Sequence, residues 1–350
     1  MQLSYFASAN SSGGFFNLYA EVFERADRIY VIKGGPGTGK SSLMRRAARA
    51  AEARGGVVEY YLCSSDPESI DGVLIFENDE VIGLLDGTAP HVFEPTLVGA
   101  REEIVNLGQF WDSRLLRRQK NEISALANKK SAAYRRAYSY LRSCGNLRAV
   151  TDSLLKKALD EGKLRAAAER LVSSLDLDVG EGKVLPAVTR AVSMSGFSRL
   201  DTFEARGKRR FFIGELYGVG SCFLDELFGK LKEKAVTLRV SYDPVVPQRI
   251  DGIFIEEENI SFTLTGNDGD GAENGGERYI NPKRFIHTEA VREIRGEMRY
   301  AARLYRDCLD GALHALSEAK VYHFLLEDIY KNAMDFSALG EFTKEFLKEI

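Results

Sequence analysis

Arg28-Ile-Tyr-Val-Ile-Lys-Gly-Gly-Pro-Gly-Thr-Gly-Lys-Ser41 joins an apolar, strand-like run to a glycine loop and then to a helix-like segment from Lys40 to about Arg54, closed by Gly55-Gly56. Within it Gly34–Ser41 satisfies G-x-x-x-x-G-K-[ST] in the strand, loop, helix context that the pattern requires. The glycines let the backbone curl without a Cβ in the way, so that successive N–H groups point inward as an anion nest. The helix start adds unpaired amides and a positive dipole end. Lys40 is expected to reach the β- and γ-phosphates of a nucleoside triphosphate, and the Ser41 hydroxyl to ligate Mg²⁺. Gly34, Gly35, Pro36, Gly37, Thr38, Gly39, Lys40, Ser41 and Ser42 form the expected nucleotide-contacting set. The competing reading is a tight glycine turn with an exposed lysine.

The pattern recurs in outline further along the chain. Arg210-Phe-Phe-Ile213 leads into Gly214-Glu-Leu-Tyr-Gly-Val-Gly220 and an apolar-periodic helix through Phe223, Leu224, Leu227, Phe228 and Leu231. Val57–Ser64 then matches Ala235–Ser241, Asp66-Pro67 matches Asp243-Pro244, and Ile70-Asp-Gly-Val73 matches Ile250-Asp-Gly-Ile253. A hairpin of Val73–Phe76 and Val81–Leu85 across Asn78-Asp79 has its counterpart in Ile253–Ile255 and Ile260–Leu264. Each copy runs into a long helical segment, about Gly99–Leu175 and Glu289–Ile350. The expected architecture is α/β plus helices, twice: a P-loop NTPase fold in residues 1–178 and a degenerate copy in 184–350, joined by the short acidic stretch Asp176–Lys183.

In this alignment Lys40 falls opposite Ser221 and Ser41 opposite Cys222, so the second loop lacks both the phosphate lysine and the magnesium hydroxyl. The duplication also sorts the carboxylates. Asp86, closing Val81-Ile-Gly-Leu-Leu85, falls opposite Thr265, whereas Asp66 and Asp71 persist as Asp243 and Asp251. Asp86 therefore tracks the lysine and is the expected Walker B-type carboxylate. Asp66 and Asp71 read as capping or turn residues. Thr88, His91 and Glu94 follow Asp86 closely, with His91 as a γ-phosphate sensor or a structural histidine, and no residue stands out as a catalytic base.

With Gly34–Ser42, Asp66-Pro67, Ile70-Asp-Gly, Leu85-Asp-Gly-Thr-Ala-Pro-His91 and the late Ala319-Lys, His323, Leu326-Glu, Tyr330 and Met334-Asp-Phe336 in view, the chain resembles an uncharacterised bacterial family with two tandem P-loop ATPase-like halves. The resemblance spans nearly the whole length and implies that fold and nucleotide binding. In that family both halves commonly keep a P-loop lysine. The departure at Ser221 and Cys222 implies one active half beside one pseudo-half.

A formal net charge of -3 and a pI near 6.0 do not support general nucleic-acid coating. Arg114, Arg117, Arg118, Lys120, Lys129, Lys130, Arg135, Arg136, Arg142 and Arg148 nevertheless lie between Arg114 and Arg148 against the single acid Glu122. The readings of this stretch are a solvated helix face, a lid bringing an arginine to the γ-phosphate, or a surface for an anionic partner. Tyr134, Tyr138 and Tyr140 interleave with it. His314 and His323 read as packing histidines among leucines. Cys63, Cys144, Cys222 and Cys308 are spaced as free thiols of a reducing compartment. The glycine-rich Gly266–Gly276 lacks EF-hand spacing and reads as a surface loop. With neither a leader peptide nor an apolar run of bilayer length, a soluble cytoplasmic protein is expected. The leading functional expectation is a slow Mg²⁺-dependent ATPase acting as a conformational switch. A small-molecule phosphotransferase or a non-hydrolysing nucleotide-dependent scaffold are the alternatives.

Overall fold

The computed structural model describes residues 2–90, 93–177, 182–265 and 278–350. Its first part runs β1 (Leu3–Phe6), a hairpin of β2 (Ser8–Ser11) and β3 (Gly14–Asn17), α1 (Tyr19–Phe23), β4 (Arg28–Lys33) and α2 (Lys40–Ala53). It continues with β5 (Val57–Leu62), β6 (Ile70–Glu77), β7 (Glu80–Asp86) and β8 (Glu102–Asn106), then α3 (Ser113–Arg118), α4 (Lys120–Leu155) and α5 (Glu161–Ser173). The same order returns as β9 (Val184–Ala187), β10 (Arg190–Ser193), β11 (Gly196–Arg199), α6 (Thr202–Arg206), β12 (Arg209–Gly214) and α7 (Val219–Lys232). It ends with β13 (Leu238–Tyr242), β14 (Ile250–Ile255), β15 (Ile260–Thr265), β16 (Arg278–Ile280), α8 (Thr288–Ala333) and α9 (Phe336–Glu349).

The protein is α/β, with two halves that each carry a six-stranded mixed sheet. The strand orders are β1-β5-β6-β7-β4-β8 and β9-β13-β14-β15-β12-β16, so every strand of the first sheet has a partner position in the second. In each sheet only the third strand, β6 or β14, runs antiparallel to its neighbours. Asn78 and Asp79, both with positive φ, make the tight turn between β6 and β7. One expectation fails here: the helical segment from about Gly99 opens with a strand. Glu102–Asn106 pairs in parallel with β4, and the buried Glu102 carboxylate accepts from the Thr96 and Leu97 amides and pairs with Arg101. Sheet pairing overrides the helical pattern at that point.

The long helices exchange ends. α4 and α8 pack along one another, and each then delivers its terminal helix to the opposite half. Leu164, Ala168 and Val172 of α5 share a core with Phe223, Leu224 and Leu227 of α7. Leu339 and Phe346 of α9 share a core with Leu43, Met44 and Ala47 of α2. At roughly 1.5–3 kcal/mol for a fully buried large apolar side chain, each docked end ties its helix firmly to the other sheet. The two crossings are built alike. Asp112 N donates to Ala333 O and Asp335 N to Phe110 O, while Asp160 N donates to Phe285 O and His287 N to Ala158 O. Asp160 and Asp335 then cap α5 and α9 through the same Asp-to-third-amide bond.

The two halves meet about a local two-fold relation. Phe6, the last residue of β1, and Val188, the residue after β9, hold equivalent places and exchange backbone hydrogen bonds with each other. Ser12 N donates to Val245 O, and its counterpart Met194 N donates to Ser65 O. Glu59 and Arg239 likewise occupy the same position in β5 and β13, opposite Leu74 and Phe254, and face each other at 2.6 Å. Burial alone raises the Glu59 pKa, but Arg239 and Arg25 outweigh it and hold the carboxyl at about 2. Arg239 also pairs with Glu256 and lies 4.6 Å over the Tyr5 ring. Identical residues here would oppose like charges across the axis. Opposite charges at one pseudo-equivalent position mark the halves as complementary.

Candidate functional site

The Gly34–Ser41 loop leaves β4 at the edge of β7 and enters α2. Gly37 (φ +70) and Gly39 (φ +91) are left-handed, and Gly39 as N-cap supplies no side chain to the first amides of α2. Lys40 is not the exposed lysine of a simple glycine turn, since its side chain is only 11% exposed. Its Nζ donates to Gly34 O at 3.1 Å and Gly35 O at 2.7 Å, and lies 3.6 Å from Asp86 Oδ2. Asp86 Oδ1 accepts from Thr88 N, and Thr88 Oγ1 donates to Gly34 O. Ser41 Oγ accepts from Ile70 N at 3.0 Å, and Thr38 Oγ1 donates to Gly35 O. The Ser42 residue is exposed on α2.

The other acidic candidates separate from this group. Asp71 is buried and accepts from the Tyr19 hydroxyl at 3.2 Å. Asp66 has its pKa raised by burial, offset by Lys320 and raised further by Glu68 and Glu327, which places it towards α8. Glu94 is exposed. His91, residues 178–181 of the linker Asp176–Lys183, and Gly266–Gly276 lie outside the described residues.

Residues nearly three hundred positions away roof the loop. A Cβ on Gly35 would stand 2.7 Å from the Tyr330 ring, and one on Gly37 would stand 2.9 Å from Glu327 O and from Lys331 Cγ. A Cβ on Gly39 would stand 2.9 Å from Leu339 Cδ2. The loop glycines thus admit α8 and α9 of the second half, besides shaping the nest. Tyr330 in turn packs on Trp111, ring centroids 5.8 Å apart. Glu327 pairs with Lys331 at 2.8 Å and sits 4.0 Å from His323 Nε2. Burial lowers the Lys130 pKa and the Lys40 charge lowers it further. Burial also lowers that of His323, as do Lys130, Lys40 and Lys331, against the opposing pull of Glu327. Lys40, Lys130, Lys331 and neutral His323 therefore share one electrostatic neighbourhood suited to a polyanion.

The sequence did not mark Lys130, His323 or Tyr330 as neighbours of the loop; His323 is half-buried there. Lys130 was visible only as one member of the basic stretch; its neighbours Arg114, Arg117, Arg118, Lys120, Lys129, Arg135, Arg136 and Arg142 are exposed, with Arg136 paired to Glu318. His314 is exposed and so is not the packing histidine expected. Tyr140 is also exposed, at 44%, while Tyr134 and Tyr138 pack into the α4–α8 core.

The second loop differs more than its missing lysine implied. Ile32 and Ile213 are equivalent in β4 and β12, and Gly39 and Gly218 are the left-handed caps of α2 and α7. Six residues separate Ile32 from Gly39, but only four separate Ile213 from Gly218. Counted from these caps, the residues opposite Lys40 and Ser41 are Val219 and Gly220, not Ser221 and Cys222. The shortened loop folds the Glu215 carboxylate onto the start of α7, where it accepts from Gly218 N and, at 3.1 Å, from Ser221 N. The chain's own anion occupies the helix N-terminus there.

Among the described residues no group of three or more His, Cys, Asp or Glu could hold a metal ion, and no helix is long and apolar enough to cross a membrane. The four cysteines are free, two of them buried. Comparisons with protein-family models, with curated proteins and with solved structures find no match.

Proposed function

We propose that the first half is a P-loop NTPase domain that binds ATP with Mg²⁺ and hydrolyses it slowly, as a switch read by the helices of the second half. One observation carries this reading: Lys40 and Asp86 meet at 3.6 Å at the floor of a glycine loop, each little more than a tenth exposed. The Lys40 ammonium rests on two loop carbonyls, which the β- and γ-phosphate oxygens would replace as its partners. Ser41 Oγ and the Asp86 carboxylate are hard oxygen donors of the kind Mg²⁺ takes beside a triphosphate, so the residues fit the ion. The ion would neutralise charge on the β,γ-phosphates. Lys130 on α4 and Lys331 on α8 add positive charge from above, and His323 is held neutral beside them, able to accept a proton from an attacking water.

The roof of Tyr330, Lys331 and Leu339 favours a switch over a phosphotransferase, because a filled loop changes contacts that belong to the other half. Asp86→Asn tests the arrangement. Mg²⁺-dependent turnover should fall about 10- to 100-fold with the fold intact, whereas Asp71→Asn should act mainly on thermal stability. The reverse ranking would remove Asp86 from the site.

A further inference from the structure

The pseudo-half contains a cavity of about 870 Å³ beside the Glu215 loop, between the far end of α4 and the near end of α8. It is the counterpart of the Lys40 site. The spacing from Asp112 to Asp160 equals that from His287 to Asp335, so Arg148 takes the place of His323 and Tyr305 that of Lys130. The equivalent pocket has kept its position and changed its chemistry.

Four arginines, Arg148, Arg299, Arg303 and Arg306, line the cavity against a single carboxylate, Glu215. That carboxylate is already engaged by the Gly218 and Ser221 amides. The nearby acids are also engaged: Asp152 pairs with Arg249, and Asp243 accepts from the Val245 and Val246 amides. Arg299, Arg303 and Arg306 lie on one face of α8 at i, i+4 and i+7 and are exposed. Arg148 is half-buried, 5.6 Å over the Tyr305 ring, with its buried Nε lacking a hydrogen-bond partner; Arg249, behind it, has a buried guanidinium nitrogen in the same state. A planar guanidinium array with tyrosine faces, Tyr300 and Tyr305, matches phosphate oxygens bidentately and an aromatic ring by stacking.

We propose that this cavity is a second anion site, which binds a phosphorylated small molecule of the nucleotide class through arginines, without Mg²⁺ and without turnover. With Glu215 on the α7 amides, the phosphate is held by the side chains of α4 and α8. α8 runs on from Arg306 to Tyr330, so one helix carries both this cavity and the roof of the first site. The inference does not depend on hydrolysis at Lys40.

The test uses Lys40→Ala protein in EDTA, titrated at low salt with ADP and separately with inorganic pyrophosphate. At least one of them should bind with a Kd at or below about 100 µM. Adding Arg303→Glu and Arg306→Glu should weaken that binding at least about tenfold, while the same two changes in the wild-type background leave Mg²⁺-ATP binding and the melting temperature unchanged. Binding of neither anion, or equal binding with and without the charge reversals, would overturn the proposal. Failure of Lys40→Ala to weaken Mg²⁺-ATP binding would instead count against the first site alone.

Discussion

Arg239→Met is expected to destabilise the protein by about 3–5 kcal/mol, the usual consequence of stripping one partner from a buried ion pair. The change leaves the Glu59 carboxylate, 6% exposed, with Arg25 and the Tyr61 hydroxyl, and leaves Glu256 with Arg206. Methionine fills much of the volume but neutralises neither carboxylate. The loss should be read by chemical denaturation at neutral pH, where Glu59 is charged. The double variant Glu59→Met/Arg239→Met should recover part of it, because the orphaned charge is then gone. An Arg239→Met loss below about 1 kcal/mol would mean that the junction between the halves does not depend on this pair. The pH dependence follows from the sign of the shift. Glu59 has its pKa lowered from an ordinary 4.5 to about 2 in the folded protein, so its contribution is complete above about 4.5 and is lost as pH falls from there towards 2. Acid unfolding of the wild type should steepen in that window, and the double variant should lack that component.

Lys40→Ala should reduce Mg²⁺-dependent ATP turnover by about 100-fold or more, the scale of removing one preorganised charge donor from a phosphoryl-transfer site. The side chain is nearly enclosed, bonded to Gly34 O and Gly35 O and close to Asp86. Its loss also leaves the Asp86 carboxylate without its nearest cation. Ser221→Ala is the matched control in the second half. It preserves the Ser221 amide that Glu215 engages, and it should leave binding and turnover unaltered. Equal damage from the two substitutions would sink the assignment of a single active half.

The local parts of this architecture were legible because they depend on neighbouring residues. Arg28–Lys33 is a strand over those very residues, the helix starts at Lys40, and the Asn78-Asp79 turn joins its two strands. The duplication was legible from ordered landmarks, although the ladders set Asp86 opposite Leu264 rather than Thr265; Asp86 stands 3.6 Å from Lys40. What escaped depends on distant contacts. Nothing near Glu161 or Phe336 says that α5 and α9 dock on the opposite sheets, because their apolar faces suit either core. His323 and Tyr330 reach Lys40 only because α8 runs back to the first half, and Lys130 lies ninety positions on from Lys40 along α4. The second loop was misaligned by two residues because its glycines suggested equal length; the shortening shows only where Gly218 takes the left-handed cap position of Gly39. Glu215 carried no motif at all, and its role as an internal anion emerges from its bonds to the α7 amides.

The most direct measurement is calorimetric titration of the purified protein with a non-hydrolysable ATP analogue, with and without Mg²⁺, read for stoichiometry. One Mg²⁺-dependent site per chain is expected, since the second loop lacks a lysine opposite Lys40 and has its own carboxylate on the helix start. Two Mg²⁺-dependent sites per chain, or none, would contradict it.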